Sequence, residues 1–165
     1  MGHDDRDAVD DIADQWARER PDVPATAIGV VARVLRIAKA FADHRRRTLA
    51  ALGIDSATFD LLATLRRSGA PFRMTPAQLT QACLVTGGAI SQRVARAEAA
   101  GLVETRRTAG GHTSSVELTP AGRERIDRDI AEFLAREERL VAHMAPEERD
   151  ELARLLRVLG SGIVS

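Results

Sequence analysis

Two helix starts stand close together in the middle of this chain, and they fix much of what it can become. Met74-Thr75-Pro76-Ala77-Gln78-Leu79 opens the first. Thr75 is placed to cap it, and Pro76 takes the first helical position, where a missing N–H costs nothing. Gln78 completes a capping box, while Met74 and Leu79 are spaced as a hydrophobic staple. Val85-Thr86-Gly87-Gly88-Ala89-Ile90 repeats the device, with Thr86 as cap and Val85 over Ile90. The first helix must therefore end near Leu84, after about two turns. The second runs to Ala100, where Gly101 stops it. Two short extended runs come next, Leu102–Arg106 and Ser114–Leu118. They are joined by Thr108-Ala109-Gly110-Gly111-His112, a hairpin signal with glycine at the turn.

Two short helices on a tight turn followed by a two-stranded hairpin give the order of a winged helix-turn-helix. In that unit the second helix suits a major groove, and the hairpin suits the phosphates or minor groove beside it. The flanks read at helical period. Val9, Ile12, Ala13 and Trp16 form a stripe over residues 4–20, which Arg20-Pro21-Asp22-Val23-Pro24 ends. A long helix over 25–52 carries Ile28, Val31, Leu35, Ala38 and Phe41 on one face, and Gly53 closes it. Residues 55–68 form a shorter helix that is apolar around much of its circumference and so should be buried. Thr119-Pro120 caps another long helix, reaching about Met144. Its Ile126, Ile130, Phe133, Leu134, Leu140, Val141 and Met144 recur at coiled-coil-like spacing. Pro146 begins a last helix with Leu152, Leu155, Leu156 and Leu159 on one stripe.

The expected fold is mainly α with a small β-hairpin wing. Residues 1–52 hold the N-terminal helix and a long dimerisation or linker helix, 53–119 the winged helix-turn-helix lobe, and 120–165 the C-terminal dimerisation helices. Together these make one structural domain per subunit of an intertwined dimer. Long amphipathic helices projecting from a small core cannot cover their own apolar stripes, and a second copy under two-fold symmetry is the most economical cover.

Composition narrows the function. The 24 basic residues balance the 24 acidic ones, so any binding of an anion must come from local clustering rather than bulk charge. Lys39 is the single lysine, so arginine as such says little. The single cysteine, Cys83, excludes an internal disulfide and a multi-cysteine zinc site. His3, His44, His112 and His143 are scattered without ligand spacing, and no metal or other cofactor is expected. No apolar run approaches the ~18 residues of a membrane span. The N-terminus is acidic where a signal peptide is basic and then apolar, so a cytoplasmic protein without membrane contact is expected. No Ser/His/Asp set, paired carboxylates or phosphate loop appears, and no residue presents itself for catalysis.

At about 100° per residue, Ile90, Val94 and Ala97 share the inner face of the helix over 86–100. Gly88, Gln92, Ala95 and Ala99 lie opposite, flanked by Ser91 and Arg96. That outer face is small and polar, and it can lie close to a duplex. Gln92 suits adenine, and Arg96 suits guanine or a phosphate. Thr86 and the Gly87 and Gly88 amides suit the sugar-phosphate backbone. Arg93 falls on the border between core and surface and points differently from Arg96.

At these residues the chain resembles the MarR family of dimeric winged-helix regulators. The similarity runs from Asp55-Ser56-Ala57-Thr58-Phe59-Asp60-Leu61-Leu62 through Leu118-Thr119-Pro120-Ala121-Gly122. Ala99-Ala100-Gly101-Leu102-Val103-Glu104 resembles the family's exit from recognition helix to wing. The extra N-terminal helix with Trp16-Ala17-Arg18-Glu19-Arg20-Pro21-Asp22 resembles the urate- and phenol-responsive, PecS-like branch, as does the Phe59–Gly69 segment. The resemblance implies a ligand-responsive transcriptional regulator, a repressor, binding a pseudo-palindromic DNA operator as a homodimer. It also implies a small aromatic or phenolic anion, urate- or salicylate-like, contacted by Trp16, Asp60 and Arg93. The wing departs from the family: Gly110-Gly111-His112 stands where Asp-Arg-Arg is common, which leaves Arg106, Arg107 and His112 to serve the wing. The alternative is a winged-helix ligand-binding or interaction module that has lost DNA binding.

Each of these residues also has a plainer role open to it. Trp16 suits a packing anchor as well as a pocket wall. Asp60, in a nearly apolar helix, is exposed, paired or functional, because a lone buried carboxylate is costly. Arg93 suits an internal ion pair, and the two readings merge if it pairs with Asp60. Cys83 suits a small buried apolar residue or a redox sensor. The run Asp43-His44-Arg45-Arg46-Arg47 suits a solvated face or a phosphate-facing patch.

Overall fold

A computed structural model describes residues 6–83 and 85–163 of the chain. The expected helix start near residue 4, the expected helix end near Leu84 and His3 lie outside the described residues. The chain divides into two compact units, 1–47 and 48–165, with the division inside its longest helix.

The first unit holds α1 (Ala8–Glu19) and most of α2 (Ile28–Ala51). Asp7 begins α1. Its side chain accepts from the Val9 amide at 2.7 Å, and its own N–H donates to Asp10 Oδ2 at 2.8 Å, which makes a capping box. The Arg20 amide closes the helix on the Trp16 carbonyl at 2.8 Å. Arg33 of α2 then grips the start of α1, donating to both Asp7 oxygens at 3.0 and 3.1 Å and to Asp10 Oδ2 at 2.7 Å. Val30, Val31, Leu35, Ile37 and Phe41 of α2 all stand exposed.

The second unit runs α3 (Ser56–Arg67), β1 (Arg73–Met74), α4 (Pro76–Cys83), α5 (Gly87–Ala99), β2 (Val103–Arg107), β3 (Thr113–Leu118), α6 (Pro120–Val141) and α7 (Pro146–Ser161). Its core is organised around α3. Phe59, Leu61, Leu62 and Leu65 are all buried, as the apolar circumference of that helix demands. Leu79 of α4, Ile90, Val94 and Ala97 of α5, Val116 of β3, and Ile126 and Phe133 of α6 pack into the same cluster. Each large side chain in it contributes about 1.5–3 kcal/mol by leaving water. The rings of Phe59 and Phe133 sit 4.8 Å apart between centroids, which brings α3 and α6 together.

Both helix starts that frame the helix-turn-helix are present. The Thr75 amide donates to Gln78 Oε1 at 2.8 Å, and Thr75 Oγ1 accepts from the Gln78 amide at 3.2 Å. The hairpin is wider than its sequence announces. β1 pairs antiparallel with β3, setting Arg73 opposite Glu117 and Met74 opposite Val116, so the sheet has the order β1-β3-β2. Two residues offer no alternation to read, and β1 exists only because β3 supplies an edge.

The N-terminus of α6 is locked to the root of the wing. Thr119 donates through its amide to the Leu102 carbonyl at 3.1 Å and through Oγ1 to the Gly101 carbonyl at 2.7 Å, and it accepts from the Gly122 amide at 3.0 Å. A Cβ on Gly122 would stand 1.9 Å from the Leu102 oxygen. One turn along α6, Arg125 donates to the carbonyls of Leu52 and Gly53 at 2.8 and 3.1 Å. Its guanidinium also pairs with the buried Asp129 at 2.5 Å, and Arg128 adds a second contact to that carboxylate at 3.3 Å. No single helix among the described residues is long and apolar enough to cross a membrane.

The Gly122 contact has a direct consequence for stability. Gly122→Ala is expected to destabilise the fold by about 1–3 kcal/mol, the range of an overpacked site. A lowered urea midpoint with an unchanged slope is the result to look for, and an unaltered midpoint would show that the helix can lift away freely.

Candidate nucleic-acid interface and ligand-binding residues

The orientation of α5 is set by what lies beneath it. The helix packs against α3, α4 and β2, with Ile90 and Ala97 almost wholly buried and Val94 nearly so. Thr86 caps its start by accepting from the Ala89 amide at 3.4 Å. Gly88, Ser91, Gln92, Ala95, Arg96 and Ala99 are consequently exposed on the other side. Ser91 is partly committed to its own helix, since its hydroxyl donates to the Gly87 carbonyl at 3.1 Å.

Gly87 and Gly88 carry information of a different kind. A Cβ built on either meets nothing within 4 Å, and neither has a left-handed φ. No packing or backbone requirement inside this chain calls for glycine there, although glycine is the weakest helix former after proline. The open space in front of these amides, at the positive end of the helix, fits a partner that approaches the backbone closely.

Arg96 is exposed but not idle. Its Nη1 lies 3.3 Å from Oδ1 of Asp55, the residue that caps α3. Sequence reading shows Asp55 as a helix start; it cannot show this contact, which joins positions far apart in the chain. Arg93 is half-buried and makes no ion pair among the described residues. Asp60 is also half-buried and accepts from Ser56 Oγ at 3.3 Å. No ion pair joins the two among the described residues.

The ladder of the wing is irregular beside Arg106 and Arg107, which face Ser115 and Thr113 and leave Ser114 as the extra residue of β3. Arg106 is exposed, while its carbonyl accepts from Ser114 Oγ at 3.0 Å. Arg107 turns back toward α5, reaching Glu98 at 3.7 Å and the Gly111 carbonyl at 3.5 Å. Thr105 Oγ1 donates to the same Glu98 at 2.5 Å. Glu98 and Thr105 thus brace the wing on the helix, a role the sequence does not signal. His112 is exposed at the tip, where its carbonyl accepts from the Thr108 amide at 2.9 Å.

Within the first unit, Trp16 is 54% exposed, so it is no buried anchor. With Arg20, Val23, Pro24, Ala25, Ala27 and Ile28 it lines an open, largely apolar cleft. Arg20 is held by both oxygens of Asp22, at 2.8 and 2.6 Å. In the run that follows on α2, Asp43 pairs with Lys39 and Arg46, each at 3.1 Å. Cys83 is half-buried, with its Sγ 3.5 Å from Thr64 Oγ1. Among the described residues no three His, Cys, Asp or Glu side chains gather as a metal would need.

The grip on α1 makes its stability depend on acidity. The Val9 amide, and then Arg33, hold the Asp7 carboxyl below its ordinary value. The Asp7 amide, and then Arg33, do the same for Asp10. Groups depressed in the folded state stabilise it above their unfolded value, and that contribution fades as pH falls through the folded one. Trp16 is the only tryptophan, so its emission reports on α1 alone. An acid transition is expected below about pH 4, moved to higher pH by Arg33→Gln. An identical transition in the variant would show that Arg33 does not hold the helix.

Residues 52–112 match the model of the MarR family. The chain is 32% identical over 152 residues, covering 90% of both proteins, to the HTH-type transcriptional regulator PecS of Dickeya dadantii (strain 3937). The crystal structure of Sco3205, a MarR family transcriptional regulator from Streptomyces coelicolor in complex with DNA, is similar with a TM-score of 0.74 at 22% identity. That similarity covers 86% of this chain and 89% of the other. Bordetella bronchiseptica BpsR, whose structure concerns regulation of its DNA binding by 6-hydroxynicotinic acid, gives a TM-score of 0.63 at 21% identity. Here 79% of this chain and 92% of that one are covered.

Proposed function

This chain belongs to the MarR family and is a transcriptional regulator of that type, and from that premise we propose that it works as a homodimeric repressor on a pseudo-palindromic operator. The exposed outer face of α5, open in front of Gly87 and Gly88, is the observation that carries the reading. Thr86 and the two glycine amides anchor the sugar-phosphate backbone, Gln92 and Ser91 meet base edges or phosphates, and Arg96 reaches guanine or a phosphate. Arg106, Arg107 and His112 serve the wing. Two copies of α5 would enter successive major grooves about 34 Å apart.

The uncovered apolar side chains support the dimer. α2 exposes Val30, Val31, Leu35, Ile37 and Phe41, and α7 exposes Leu152, Leu155, Leu156 and Val158. Apolar stripes of this length on a small chain mark surfaces that another protein covers, and a second copy is the simplest cover.

The effector is a small aromatic or phenolic anion, with Trp16, Asp60 and Arg93 as its contacts. Trp16 already presents its ring to an open cleft, and Arg93 holds a charge with no ion-pair partner among the described residues. Because Arg93 stands on α5, a ligand that engages it acts on the same helix that meets DNA. A ligand alters DNA affinity only by binding the two conformations unequally, and about 1–3 kcal/mol of difference is ordinary regulation.

One observation favours a second reading. The wing tip is Gly-Gly-His and Arg107 is turned toward Glu98, as suits a winged-helix module that binds ligand but no longer DNA. Phosphate contacts impose a steep salt dependence on duplex binding, so the absence of salt-dependent retention on duplex DNA would favour the module.

Gel shifts on the DNA upstream of the chain's own coding sequence test the main reading. Arg96→Ala is expected to weaken binding tenfold or so, the scale of one good base or phosphate contact, with ligand response retained; equal affinity would remove Arg96 from the interface. Trp16→Ala and Arg93→Ala should each bind DNA yet lose release by urate or salicylate. Normal release in both variants would dismiss the assigned contacts.

A further inference from the structure

The carboxylate of Asp55 is held from one side and offered on the other. Its Oδ1 accepts from the Thr58 amide at 3.0 Å and its Oδ2 from Thr58 Oγ1 at 2.7 Å. Thr58 is itself buried, so this end of the contact is anchored to the core. The other end is the long, 63% exposed side chain of Arg96, whose Nη1 reaches Oδ1 at 3.3 Å. The anchored group therefore sets the position of the mobile one.

Resting on the reading of α5 as the helix that meets DNA, we propose that Asp55 is a positioning residue that sets the specificity of duplex binding through Arg96. A guanidinium has five N–H donors in a planar fork. Asp55 engages it at one nitrogen only, which leaves the remaining donors for a duplex and limits the directions in which they can point. The carboxylate also discriminates by charge. A phosphate drawn to Arg96 brings a second anion toward Asp55 and is opposed, whereas the neutral edge of a base is not. An arginine alone on this surface would bind any duplex through its phosphates; with Asp55 beside it, random contacts are opposed more than a matched one.

The test measures affinity for two duplexes of equal length: one selected by the wild-type protein from a random pool, and a scrambled control. Asp55→Asn and Asp55→Ser both keep an oxygen to cap α3, and unchanged melting temperatures identify the variant to be used. Either is expected to bind the scrambled duplex roughly threefold tighter, the scale of one partly exposed charge pair, with the selected duplex bound within about twofold of wild type. In an Arg96→Ala background the same substitution should change neither affinity. A wild-type ratio of the two affinities in both Asp55 variants overturns the proposal. So does a loss of discrimination that persists without Arg96, because Asp55 would then act as a bare charge. Failure of the underlying reading looks different: Arg96→Ala by itself would then leave the selected duplex bound at wild-type strength.

Discussion

The second unit depends on burying one edge of α5 against α3. Ile90, Val94 and Ala97 cannot be exposed without losing much of the apolar contact that holds the helix, and with them in place the rotation of α5 about its own axis is settled. Every other residue on the helix then has its direction decided. Gln92 and Arg96 face out, Arg93 stands at the edge, and Glu98 meets Thr105 of the wing. α3 supplies the surface that makes this possible. Its leucines fill the centre, while the residue that caps it, Asp55, lies beside Arg96.

Neutral overall charge is compatible with duplex binding because the charges are locally sorted. Most arginines have carboxylate partners of their own: Arg66 with Asp127, Arg73 with Glu117, Arg136 with Glu132, and Arg149 with Glu138. Such pairs contribute little to stability where water reaches them, yet they hold charge away from the rest of the surface. Arg106 makes no such pair among the described residues. Arg66 and Arg123 find a further use, both lying 4.9 Å from the centroid of the Phe72 ring.

Much of this was legible because it is local. A cap, a staple and a stop are written within half a dozen residues, so Thr75, Thr86 and Thr119 announce three helices, and Gly101 announces an end. Amphipathic spacing likewise identifies Ile90, Val94 and Ala97 as the inner face. What escaped reading joins distant parts of the chain. The contact of Asp55 with Arg96, the clamp of Arg33 on Asp7 and Asp10, and the pairing of the two-residue β1 with β3 leave no periodic trace. Arg107 escaped for the same reason: alternation puts it on the strand face of Thr105, yet only the folded chain shows that both of them meet Glu98 of α5.

The meeting of Gly122 with Leu102 bears on how motion passes through the second unit. Ordinary helices touch their neighbours through side chains, which can slide, change rotamer and absorb a small displacement before anything beyond them moves. Here the contact is main chain on main chain, with two hydrogen bonds from Thr119 beside it. Such a joint has no compliant layer. A tilt of α6 is delivered undamped to the residues that lead from α5 into β2, as a crank turns its shaft.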